Sequence, residues 1–239
     1  MTKAVVFLLD VDNTLLDCDY LVADYRHHIK EQLGETSADR YWAIFNEMRS
    51  ELGYVDYLGA LQRYRLELER RNDGGSVDPL QLSLIAGYMI DYPFAERLYD
   101  RAFAVIRHLS SFGMCVILTD GDVVLQPRKI QRAGLWDAVD GRVLIYVHKE
   151  EKLGSVEQLY PAQHYVLIDD KPAVLAAVKS SWRSRVTTIL PLQGHYALDE
   201  MSRSNYCPSD IIINDISQAA GFDLPAMFGK IPENLQQTA

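Results

Sequence analysis

Cysteine, positive charge and long apolar runs are all scarce in this chain. The 239 residues include three cysteines, Cys18, Cys115 and Cys207, far apart and without a CxxC pair. That argues against a disulfide framework or a thiolate metal site, and fits reduced thiols in a cytoplasmic protein. Lysine and arginine total 24 against 33 acids, a net charge of −9. A nucleic-acid partner usually needs a basic patch, so this balance weighs against one. A small anionic substrate held by a few local cations or a metal stays open. No apolar run reaches membrane length, and the N-terminal stretch lacks a small-residue cleavage site, so no membrane partner is expected. No internal repeat or low-complexity tract stands out. With 48% hydrophobic and 24% charged residues, a sizeable core is available for one large domain or two small ones.

Residues 4–9 read as a buried strand, short, apolar and β-branched at Val5 and Val6. From about 18 to 95 the spacing is helical. Trp42, Phe45, Met48 and Leu52 recur at three and four residues, as do Tyr57, Leu58, Leu61, Tyr64 and Leu68. "RRNDGGSVDP" (70–79) and "DYPF" (91–94) are breaks. After a predicted helix over 96–110, strands and helices alternate. Strands are expected at 114–120, 142–147, 164–170, 186–190 and, as an edge, 210–215. Helices are expected around 127–133, 152–160 and 173–180, with fraying after Ile231.

Alternation of this kind predicts an α/β fold, a mostly parallel sheet covered on both faces. Right-handed crossovers put every strand's C-terminal end on one rim, where open sheets bind ligands. The polar residues at those ends are Asp10 and Asp12, Thr119 and Asp120, His148 and Lys149, and Asp169 and Asp170. The helical stretch interrupts the pattern just after the first strand and reads as an inserted subdomain. The expected division is 1–17 with 96–239 for the sheet, and 18–95 for the insertion.

Up to four carboxylates near one point repel one another unless a cation or shared protons intervene. Oxygen ligands without His or Cys favour Mg²⁺. With Lys149 as a fixed positive charge, the natural guest is a phosphate. One carboxylate can attack phosphorus while a neighbour moves the proton.

These segments resemble the motifs of the haloacid dehalogenase (HAD) superfamily, in order. "DVDNTLL" is similar to motif I, "VILTD" to motif II, "VHKEEKL" to motif III and "VLIDDKP" to the double-aspartate form of motif IV. The resemblance implies a Rossmann-like sheet of order 5-4-1-2-3 with a helical type-1 cap. It implies Asp10 as nucleophile and Asp12 as general acid/base, with the Asp12 backbone carbonyl on Mg²⁺. Asp170 aligns with the metal-binding acid, and Asp169 joins it directly or through water. Thr119, with the backbone of Asp120 and Gly121, would hold the phosphate, and Lys149 would neutralise nucleophile and phosphate together. Lys152 is a rival for that last role. Thr14 resembles the motif's turn residue.

The expected activity is Mg²⁺-dependent hydrolysis of a small phosphorylated metabolite through an aspartyl phosphate. The alternatives are a 2-haloacid dehalogenase, a phosphoglucomutase-like transferase and a non-catalytic phospho-receiver. Dehalogenases of this type carry an aromatic residue where Asp12 stands. Receivers are about half this length and have no such insertion. A calcium loop at Asp10 fails on Leu15 and Leu21, where glycine and a bidentate glutamate belong. Asp169 or Asp170 could also serve as a helix N-cap. The six histidines and the insertion's aromatic residues read first as surface and core positions. Tyr20 and Arg26 are the better specificity candidates.

Overall fold

A computed structural model of the chain describes residues 3–70 and 78–224. The first strand, β1 (Lys3–Leu9), is followed by four helices. These are α1 (Cys18–Leu33), α2 (Glu35–Leu52), α3 (Tyr57–Arg70) and α4 (Pro79–Asp91). The chain then returns through α5 (Ala102–Ser110) to β2 (Met114–Asp120), α6 (Leu125–Arg132) and the short α7 (Leu135–Ala138). Next come β3 (Val143–Tyr146), α8 (Leu153–Leu159), β4 (Ala162–Ile168), α9 (Pro172–Trp182) and β5 (Val186–Pro191). The described chain closes with α10 (Gly194–Leu198), α11 (Glu200–Ser204) and β6 (Ile211–Ile213).

The sheet runs β3-β2-β1-β4-β5-β6 with every pairing parallel. This is the expected five-strand order with β6 added at one edge. Side chains alternate across it, as strand geometry requires. Val6, Leu8, Val116, Leu118, Tyr165 and Leu167 pack under α8 and α9 with Leu153, Val156, Leu175 and Trp182. Phe7, Leu9, Ile117, Val166 and Ile168 face the other way and join Val105, Ile106, Leu109 and Ile130. That second core continues without a break into the helical insertion. Each such fully buried side chain contributes on the order of 2 kcal/mol by leaving water. None of the described helices is long and apolar enough to cross a membrane.

Inside the insertion, aromatic residues form the core. Tyr57 meets Tyr25 edge-on at 5.3 Å and Phe45 face-on at 4.8 Å. The buried phenols keep their hydrogen bonds, with Tyr25 donating to the Met89 carbonyl and Tyr41 to that of Tyr57, both at 3.0 Å. The insertion is tied at its base. Asp17 N–H donates to the Arg97 carbonyl at 2.7 Å, and Tyr99 N–H to that of Leu15 at 3.0 Å, so the outgoing and returning segments form a small antiparallel ladder.

That ladder explains one departure from expectation. The helix predicted over 96–110 is divided. Phe94–Arg97 is a 3₁₀ turn, Leu98 bridges Leu16, Arg101 takes a left-handed φ of 60°, and only then does α5 begin. The break expected over 70–79 lies mostly, and the tail expected to fray wholly, outside the described residues. The strand expected at 164–170 ends at Ile168, so Asp169 and Asp170 stand beyond it.

Candidate active site

The rim is built from four strand ends. Asp10 follows β1 directly, its N–H held by the Ile168 carbonyl at 3.0 Å. The chain then turns sharply, with Asn13 at a left-handed φ of 58°. Asparagine suits this conformation because its short amide bonds locally. Asn13 Oδ1 accepts the N–H groups of Cys18 and Asp19 at 2.9 and 3.1 Å, which seats the start of α1. Gln193, buried after β5, donates to the carbonyls of Asn13 and Thr14 at 3.0 and 2.8 Å and pins the turn from below. Thr14 is buried and its hydroxyl has no partner, so backbone and Gln193 hold the turn.

Asp10, Asp169 and Asp170 are all buried, and a ligand atom from each lies within 4.8 Å of the others. Lys149, fully buried, reaches Asp10 Oδ1 at 2.5 Å and Asp169 Oδ2 at 2.6 Å. His148 just before it adopts a left-handed φ of 59°, and Lys149 N–H donates to Asp120 Oδ1 at 2.8 Å. Burial works against the Lys149 ammonium, but Asp10, Asp169 and Asp120 outweigh it and push its pKa up. Lys149, with Lys171 nearby, does not offset the burial and mutual repulsion of these acids. Burial, then the neighbouring acids, push Asp170 up to about 9. Burial likewise pushes Asp10 up to about 6 despite Lys149. Asp10 Oδ2 and both Asp170 oxygens are buried without a hydrogen-bond partner. Such bare oxygens are costly unless something fills the space between them. An all-oxygen set of hard donors fits a divalent cation such as Mg²⁺.

A second network lies beside the first. Lys129 Nζ sits 2.6 Å from Asp12 Oδ1 and donates to Gln126 Oε1 at 2.8 Å. Gln126 Nε2 donates in turn to Thr119 Oγ1 at 3.0 Å. Asp12 is thus two residues from Asp10 but has its own cation. Gly121 permits this packing, since a Cβ there would fall 2.6 Å from the Gln126 side chain. The Gly121 N–H, which the family resemblance assigns to a phosphate, donates here to the Tyr146 carbonyl at 3.0 Å.

Above the acids lies a cavity of about 420 Å³ between the insertion and the rim. Asp12, Asp170 and Lys171 line its floor, with Trp42, Phe45 and Tyr57 from the insertion. A second cavity of about 140 Å³ runs alongside and reaches Gly121, Gln126 and Lys129.

The chain is similar to a structure from Burkholderia xenovorans LB400 provisionally named a haloacid dehalogenase-like hydrolase. Identity is 50%, coverage is 94% of this chain and 98% of that one, and the TM-score is 0.85. The chain belongs to the haloacid dehalogenase-like hydrolases. More distant likenesses show the same fold. L-2-haloacid dehalogenase from Xanthobacter autotrophicus has 17% identity, 97% and 100% coverage and a TM-score of 0.58. YfnB from Bacillus subtilis, provisionally named a HAD-hydrolase and bound to magnesium, has 16% identity, 96% and 100% coverage and a TM-score of 0.59. No family model matches the chain, and no curated protein matches it.

In this HAD-like hydrolase the residues expected from sequence converge, with distinctions among them. Lys149, and not Lys152, touches the acids; Lys152 precedes α8 on the surface. Asp12 stands outside the cluster of three carboxylates. Asp169 caps no helix by side chain: its Oδ1 accepts the Lys171 N–H at 2.9 Å, and Lys171 supplies the N-cap of α9. Tyr20 is exposed under Arg97, whereas Arg26 lines the cavity and stacks on Trp42 at 4.0 Å. His195 also lines the cavity, held by Asp19 at 2.6 Å. His27 pairs with Glu31 at 3.1 Å, and His28 stacks on Tyr88 at 3.9 Å. Lys129, Gln126, Lys171 and Gln193 were not singled out by sequence. Lys171 directly follows the paired acids, and its place in "DDKP" was a usable signal.

Proposed function

We propose that this HAD-like hydrolase is a Mg²⁺-dependent phosphatase acting on a small phosphorylated metabolite, with Asp10 as nucleophile. The observation that carries this reading is the pair of separate networks, one buried and one reaching the cavity. Asp10 is held by Lys149 at 2.5 Å, and Asp12 is held separately by Lys129 at 2.6 Å. Two neighbouring carboxylates with different partners are suited to different roles.

Asp10, Asp170 and the Asp12 backbone carbonyl would hold Mg²⁺, with Asp169 directly or through water, and the ion would offset the acids' repulsion of a phosphate. An Asp10 oxygen forms a bond to phosphorus as the bond to the leaving oxygen breaks, and Asp12 gives that oxygen its proton. Water then attacks the aspartyl phosphate, its proton passes to Asp12, and phosphate and the Asp10 carboxylate are released. Lys149 stabilises the negative oxygens throughout, and Thr119 with the backbone of Asp120 and Gly121 orients them. For Gly121 this requires its N–H to exchange the Tyr146 carbonyl for the phosphate. Residues 18–95 act as a cap over the core formed by 1–17 and 96–239, and the expected partner is a small molecule rather than nucleic acid or membrane.

The test is hydrolysis of 4-nitrophenyl phosphate with MgCl₂ or with EDTA. Activity should require the metal and disappear in Asp10→Asn. Undiminished activity in that variant removes Asp10 as nucleophile. Metal-independent chloride release from 2-chloropropionate would replace phosphatase by dehalogenase.

A further inference from the structure

The charges that line the cavity are unevenly satisfied. Among its acids outside the buried cluster, Asp12 is paired with Lys129 at 2.6 Å. Asp19 has His195 at 2.6 Å and the Asn13 amide at 3.1 Å. Its arginines have no such partners. Arg26 and Arg49 meet no carboxylate among the described residues. Elsewhere in the insertion, Arg40, Arg63 and Arg65 pair with glutamates at 2.5 to 2.8 Å. In a chain with nine more acids than bases, two arginines left without acids at one opening need a reason.

Both side chains are also held in place. Arg26 sits over the Trp42 ring, its guanidinium carbon 4.0 Å from the ring centroid, and also lines the cavity. Arg49 crosses from α2 to donate to the Tyr196 hydroxyl of α10. An arginine already ordered loses less entropy when it binds, and its planar fork matches a carboxylate or phosphate. Between them the wall is apolar, with Trp42, Phe45, Tyr57, Val22 and Val55. A volume of about 420 Å³ is within the range of small-molecule sites.

We infer that the substrate carries a second anionic group, a carboxylate or its equivalent, on a flat apolar body, and that Arg26 and Arg49 read that group while the aspartate cluster handles the phosphate. This rests on the phosphatase reading above. It makes Arg26 and Arg49 specificity residues supplied by the insertion.

The experiment compares phenyl phosphate with 4-carboxyphenyl phosphate in the Mg²⁺-loaded protein, with parallel calorimetric binding to Asp10→Asn. The carboxylated compound should have a kcat/KM at least about tenfold higher and bind Asp10→Asn correspondingly tighter, as charge-assisted hydrogen bonds predict. In Arg26→Gln/Arg49→Gln the ratio between the two substrates should fall to about one, with thermal unfolding reporting that the variant is folded. Equal turnover and equal binding of both compounds in the unmodified protein would overturn the inference and leave the phosphatase reading intact. Hydrolysis of neither compound, with a binding preference retained, would instead overturn the phosphatase reading alone. A preference that survives the double substitution would remove the two arginines as its source.

Discussion

Lys149 is the buried cation that stands between two of the three clustered acids. It is fully buried between Asp10 and Asp169, so removing it leaves both acids facing each other in a low-dielectric site. Lys149→Met should therefore destabilise the metal-free protein by about 3–5 kcal/mol, measured by urea unfolding in EDTA. Part of that loss should return on adding MgCl₂. The same acids set a pH dependence. Unfolded, Asp170 titrates near 3.8, whereas burial and its acidic neighbours push it up to about 9 in the fold. Across that window the folded protein keeps a proton the unfolded chain has released, so stability falls as pH rises. A cation binding Asp170 must displace that proton, and the competition weakens as pH rises toward the folded value. The rise in Tm on adding MgCl₂ should be larger near pH 8 than near pH 6. Equal shifts at both would remove Asp170 from the metal set.

Strand ends made much of this site legible in the sequence. Asp10, Thr119, Lys149, Asp169 and Asp170 each follow an apolar run, and parallel topology brings such positions together. Lys129 and Gln126 were hidden because they sit one turn apart on α6 and reach the rim only through long side chains. Their "QPRK" setting reads as an ordinary exposed helix face. The division of the 96–110 helix was hidden for a related reason. Its spacing is helical, but Leu98 pairs with Leu16, and periodicity cannot register a pairing across eighty residues of chain. Gly194 shows how tightly loops from different elements meet. It has a φ of 73°, and a Cβ there would lie 2.4 Å from that of Asn13. Gly194→Ala should cost about 1–3 kcal/mol in stability by chemical denaturation and lower the proposed phosphatase activity by displacing the Asn13 turn. Wild-type stability in that variant would mean the two loops can separate without loss.

In the whole molecule, one apolar core runs from the sheet's inner strands into the helical insertion, while the other face of the sheet keeps a core of its own. The rim stands where the two halves meet, and above the first face only. The insertion contributes Trp42, Phe45 and Arg49 to the cavity, and the sheet contributes Asp12, Asp170 and Lys171. The cavity wall is thus shared between the two parts of the chain, with aromatic residues from the insertion and charged residues from the sheet. The ladder at Leu15–Asp17 and Arg97–Tyr99 has a mechanical meaning in this arrangement. Two backbone hydrogen bonds tie the outgoing and returning segments where the described chain crosses between α1–α4 and the sheet, so the two crossings are held together rather than as independent strings. Arg49, near the end of α2, meets Tyr196 of α10, so the insertion touches the sheet's side a second time at the cavity. Strain on either crossing is therefore shared by both before it reaches the turn at Asn13 that follows Asp10 and Asp12.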